Sequence, residues 1–224
     1  MKRTLLKIGV IYGKDLLNEF RTKEVIISLL VFVLLVVVIF NFAFDTGVGP
    51  DDTMAAGILW VAITFGGVIG LNHTFAIEKE NSRLEGLMLC PIDRSVIYWG
   101  KLAGIFTFML VIAAVITPIF LALFNLTLFL PRLALIIFLA ILGFSAVGTL
   151  FSALAVNTRS RDIMLPILFL PTAVPVVVSA VKATGPVLAG MPWEEIMTWL
   201  QIMAAFDIIY LVVATLVFEF VIEE

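Results

Sequence analysis

The sequence predicts an all-α integral membrane protein: six transmembrane helices, an N-terminal amphipathic interfacial helix and a short cytoplasmic coupling helix. Three observations lead there. Of 224 residues, 62% are hydrophobic and 14% charged, with a mean hydropathy of +1.17, against about 45–50% and about 25% in soluble domains. One small core cannot bury that much apolar surface, so lipid must be the solvent. Apolar runs also recur at the length, about 20 residues, that a helix needs to cross roughly 30 Å of hydrocarbon. Finally, Lys and Arg fall almost entirely on alternate loops.

Residues 1–24 come first. Leu5, Ile8, Tyr12 and Leu16 share one helical face, with Arg3, Lys7, Lys14, Asn18 and Arg21 opposite. That pattern predicts an amphipathic helix lying on the cytoplasmic leaflet. Residues 25–224 form the permease domain. Its spans are Val25–Phe44, Thr53–Ile77, Leu102–Phe124, Leu133–Val156, Ile163–Val181 and Trp199–Phe218. Pro166, Pro171 and Pro175 interrupt the fifth, and the carbonyls they free must be covered by protein. That predicts a place inside the bundle or at a dimer interface. Between spans five and six, Gly185, Pro186 and Gly190 break the chain, and Pro192, Glu194 and Glu195 suit a helix start. A short interfacial or partly re-entrant helix is expected there, anchored by Trp193 and Trp199.

Orientation follows from the positive charges. Lys2, Arg3, Lys7, Lys14, Arg21 and Lys23 precede span one; Lys79, Arg83, Arg94 and Lys101 follow span two; Arg159 and Arg161 follow span four. Only Arg132 and Lys182 remain for the other side, so both termini are expected in the cytoplasm. A net charge of −3 gives no basic surface for nucleic acid. A single Cys90 excludes an intramolecular disulfide and any cysteine cluster. No signal peptide is expected, since the basic N-terminus lacks a cleavage motif.

The segment most suggestive of function is the loop after span two. Ser82 and Glu85 are spaced as a capping box, Leu84, Leu87 and Met88 form one apolar face, and Pro91 stops the helix. A capped amphipathic helix at about 78–95 can rest on the membrane or enter a groove of a cytoplasmic partner. Its acidic start and apolar middle favour the groove.

The pattern Glu78-x-Glu80, then Leu84-Glu85-x-Leu87-Met88-Leu89-x-Pro91 and Gly100-Lys101, resembles the coupling region of ABC-2 type exporter permeases. With Ile58-Leu59-Trp60-Val61 opening span two and the prolines of span five, the chain resembles more narrowly the haem exporter protein B (CcmB) family of cytochrome c maturation. The resemblance covers nearly the whole chain. It implies a transport subunit of a bacterial or archaeal cytoplasmic membrane, with haem as substrate and ATP bound by another chain. Implied partners are a CcmA-like ATPase, a second copy of the chain, CcmC-like and CcmD-like haem-handling proteins, and membrane lipid. Glu78, Glu80, Arg83, Leu84, Glu85, Leu87, Met88 and Pro91 would couple to the ATPase. Lipid and drug exporters share the layout, so an amphipathic substrate of that kind is the alternative.

A phosphate-binding loop needs G-x-x-x-x-G-K-[ST]. Gly9-x-x-x-Gly13-Lys14 is one residue short, and Gly100-Lys101 is followed by Leu102. Asp207 is the one acid inside a span, which leaves a pathway role and a structural hydrogen bond both open. His73, alone near the cytoplasmic end of span two, reads first as a packing or interfacial residue and second as an axial haem ligand. Gly66-x-x-x-Gly70 and Gly100-x-x-x-Gly104 fit helix packing. No pair of carboxylates, Ser/His arrangement or metal-ligand cluster suits an intramembrane enzyme, so no catalytic residue and no resident cofactor is expected.

Overall fold

Hydrocarbon offers the backbone no hydrogen-bond partner, so an apolar run must close its bonds within itself. The computed structural model describes residues 2–21, 23–44, 51–80, 93–126, 130–156 and 161–221, and these are helical apart from short turns. In chain order the helices are α1 (Lys2–Arg21), α2 (Lys23–Ala43), α3 (Asp52–Glu80), α4 (Arg94–Leu123), α5 (Leu130–Val156), α6 (Arg161–Leu188) and α7 (Trp193–Val221). The helices α3 to α7 are each long and apolar enough to cross a membrane. The sixth apolar helix, α2, has 21 residues and so extends about 31 Å. The coupling motif Ser82–Pro91 lies outside the described residues. Glu78 and Glu80 fall in the last turn of α3, but their side chains, like that of His73, are also outside them.

The helices α3 and α5 form the centre. Their apolar stretches are each 72% buried, against 50% for α4, 33% for α6 and 22% for α7. Small residues let the backbones approach. A Cβ added at Gly67 would stand 2.5 Å from Met109 Cε and 2.6 Å from Phe144 Cε1, so α3, α4 and α5 meet there with no room for a side chain. Gly66 faces Val33 of α2, and Gly70 faces Phe108 of α4. Two buried interhelical hydrogen bonds tie the centre to its surroundings. Trp60 Nε1 donates to Thr184 Oγ1 of α6 at 2.9 Å, and the Tyr98 hydroxyl of α4 donates to the Ala146 carbonyl of α5 at 3.2 Å.

Helix α1 packs along the first half of α4. Ile11 is buried against Gly100, Gly104 faces Asp15, and the Thr107 hydroxyl lies 3.3 Å from that of Tyr12. Ile8 and Tyr12, placed by the sequence on a membrane-facing side, are therefore half-buried beside α4, while Leu6, Val10 and Leu17 are exposed.

Helix ends explain two departures from expectation. Span five was expected to stop at Val181; instead α6 continues through Gly185 and Pro186 to Leu188. Its true stop is Gly190, at φ 69°. Gly190 N–H donates to the Val187 carbonyl at 3.1 Å and Met191 N–H to that of Pro186 at 2.9 Å, the paired bonds of a Schellman cap. Asn125, at φ 51°, ends α4 the same way, with Asn125 and Leu126 N–H donating to the carbonyls of Ala122 and Leu121. Beyond Pro192 the chain forms no separate interfacial helix; α7 runs unbroken from Trp193 to Val221. The four-residue turn Ala189–Pro192 thus makes α6 and α7 a tight antiparallel hairpin.

The prolines do not break α6 either, although Pro166, Pro171, Pro175 and Pro186 all sit inside it. The Thr172 and Ser179 hydroxyls donate one turn back, to the carbonyls of Leu168 and Pro175, at 2.9 and 2.7 Å. Nor is α6 enclosed. Met164, Ile167, Pro171, Val174 and Val178 form an exposed stripe, while Pro166 and Pro175 are half-buried.

Candidate functional site

Along α7 the positions Ile196, Leu200, Met203, Asp207, Ala214 and Phe218 are buried, with Tyr210 half-buried between them. Their spacing of three and four residues is that of one helical face, packed against α5 and α6. Asp207 lies at the middle of this stripe and near the middle of α7, so the carboxyl stands near the bilayer mid-depth. It is 2% exposed, and neither carboxylate oxygen has a hydrogen-bond partner among the described residues.

Each neighbour has a local reason to be there. Gly143 of α5 has no side chain, and a Cβ built on it would collide with Asp207 Oδ1, so the carboxyl lies directly against bare backbone. Val176 of α6 closes the same spot, 3.2 Å from that Cβ position. Tyr210, one turn along α7, could reach the carboxyl, but its hydroxyl donates instead to the Thr172 carbonyl of α6. A carbonyl oxygen has two lone pairs, so the Thr172 carbonyl can take the Tyr210 hydroxyl as well as a backbone N–H.

An orphaned carboxyl in this position carries a large cost as an anion, because burial removes its water without supplying a partner. A purely structural acid would be expected to accept a bond from Tyr210 or a nearby hydroxyl. Asp207 does neither. The sequence singled out Asp207 as its translocation or bundle candidate, and the structure joins it to Gly143, Thr172, Val176 and Tyr210, which the sequence did not single out. The available signals were faint: Tyr210 is three residues from Asp207 on the same face, and Gly143 opens the small-residue run Gly143, Ser145, Ala146, Gly148 and Thr149.

Pro175 sits one turn from this site; Pro166 and Pro171 lie further along α6. On the adjoining side of α7, Trp99 of α4 with Ile208, Leu211, Val212, Thr215 and Leu216 lines an open, almost wholly apolar groove of about 440 Å³. It begins at Ile208, on a different face of α7 from Asp207, and ends near the first turns of α4. At the opposite end of the bundle, Arg132 donates to the Met191 carbonyl at 2.8 Å, and its guanidinium lies 5.1 Å from the Trp193 ring centre. That contact holds the α6–α7 turn to the start of α5.

Comparison with known proteins adds a second line of observation. Residues 7–223 match the family model described as CcmB protein. The chain is 26% identical over 191 residues to "Heme exporter protein B" of Pseudomonas aeruginosa, covering 83% of this chain and 84% of the relative. It is 32% identical over 161 residues to "Heme exporter protein B" of Rhodobacter capsulatus, covering 66% of this chain and 69% of the relative.

Proposed function

Since the chain belongs to the CcmB family, we propose that it is the membrane permease of a haem exporter, acting in cytochrome c maturation and driven by a separate ATPase. The match over residues 7–223 carries this reading, because it takes in the whole six-helix body. The physical character of the bundle agrees with it. Haem is flat, mostly apolar and carries two propionates, so it suits a seam beside lipid better than a wet pore. The apolar groove beside Trp99 and the single mid-depth acid fit such a route.

In this reading the α1 end of the bundle faces the cytoplasm, as the twelve-to-two division of Lys and Arg supports. Leu6, Val10 and Leu17 of α1 then rest in the leaflet. A CcmA-like ATPase docks on Ser82–Pro91, and a second copy of the chain with CcmC-like and CcmD-like proteins completes the assembly. Haem is cargo here, not a resident group, and His73 is assigned no ligand role.

Leu87→Asp or Met88→Asp would place an unpaired charge in the ATPase groove, at a cost of several kcal/mol. The ATPase should then fail to co-purify while the permease still inserts; unchanged co-purification in both variants rejects this docking. For the substrate, deletion in the native host should abolish haem staining of membrane c-type cytochromes. Normal staining with a lost lipid or drug export would leave an ABC-2 exporter of another cargo.

A further inference from the structure

We propose that Asp207 is a proton-binding site, holding its proton while the carboxyl lies against Gly143 at mid-depth. Three independent features converge on it. The side chain is 2% exposed, both its oxygens are unpartnered among the described residues, and it sits at the centre of a span. An anion there would have neither water nor donor, so the neutral acid is the form this packing admits. The neighbouring hydroxyl of Tyr210 is committed to Thr172, so the proton must come from elsewhere.

Among the described residues no cation hydrogen-bonds to its oxygens. On α5 the only charged residue within the helix is Arg132, at the far end and engaged with Met191 and Trp193. On α6 they are Arg161 and Asp162 at its first turn and Lys182 towards its last, the last exposed. On α4 the titratable groups are Arg94, Tyr98 and Lys101. Tyr98 packs on Phe218, eleven residues and so about 16 Å along α7 from Asp207, and Lys101 is one turn from Tyr98. On α7 itself Glu194, Glu195 and Glu219 are near its ends, and Tyr210 is the close titratable neighbour among the described residues.

The carboxyl meets water only if α7 turns or slides away from α5, so proton exchange and α5–α7 packing are linked.

The test uses the full chain in native membranes and needs no haem, so it stands or falls apart from the proposed function. Dicyclohexylcarbodiimide attacks protonated carboxyls in apolar surroundings: the acid proton passes to a carbodiimide nitrogen, the carboxylate adds to the central carbon, and an acyl shift leaves a stable N-acylurea. Peptide mass spectrometry should find Asp207 modified in wild type, with labelling falling about tenfold per unit of pH above its midpoint, as the acid form does. Absence of modification at Asp207, or labelling that ignores pH, overturns the proposal. Because the labelling is read on wild type, a poorly folding variant does not blunt it.

Discussion

The pair α3 and α5 and the pair α6 and α7 are both apolar and of similar length, yet they are built for different purposes. The first pair is 72% buried and packed through glycines with no spare volume. The second is 33% and 22% buried, carries four internal prolines and holds the orphaned acid. Dense packing resists movement, because an interior at crystal-like density has few alternative arrangements. A hairpin with most of its surface uncovered by the rest of the chain has more. The contrast teaches that two apolar helix pairs of similar length can differ in how tightly the rest of the chain encloses them.

That contrast can be broken most directly at Gly67. Gly67→Leu must displace Met109 and Phe144 at once, and overpacking of this kind costs about 3 kcal/mol. Thermal melting in detergent should show a large loss; an unchanged transition would mean that the centre is as pliable as the hairpin. Asp207→Asn sharpens the other side. The amide, like the proton-bearing carboxyl, puts no charge into that packing, so the variant should melt close to wild type while transport is lost. A fall in melting would instead give Asp207 a structural hydrogen bond. A smaller effect is expected at the seam between the pairs. Trp60→Phe removes the bond to Thr184 and should cost about 1 kcal/mol, with Thr184→Val adding little in the double variant. The least effect belongs to the exposed stripe of α6. Val178→Ala should stay within about 0.5 kcal/mol, and a larger loss would point to a protein neighbour on the exposed α6 stripe.

How far the sequence could be read follows from which interactions are local. Six apolar helices were legible because length and hydropathy are properties of one segment, and all six are present, with shifted ends. The end of α6 was misread because Gly185, Pro186 and Gly190 were given equal weight. Only Gly190 takes a left-handed conformation, and the helix absorbs the other two. Span five was expected inside the bundle or at a dimer interface; Pro171 lies on an exposed face of this one chain, so only the first of these fails. Asp207 stood out as the one acid in an apolar span, whereas its setting did not. Gly143, Thr172 and Val176 come from other helices, and one sequence carries little record of which helices meet. The resemblance resting on Leu84–Pro91 was sound for the family, although that segment lies outside the described residues.

The four-residue turn at Ala189–Pro192 also bears on how the chain is made. A lone helix with an aspartate at its centre enters the bilayer from the translocon against a penalty of about 2.5–3.5 kcal/mol. Joined so closely to α6, α7 has no need to partition alone: the two can leave the translocon together. The Gly143 face of α5, already synthesised, then waits to receive the acid before lipid does. A longer loop would let α7 meet lipid first. The shortness of that turn, fastened by Arg132 to the start of α5, therefore lets the buried carboxyl enter with α6 beside it and not alone.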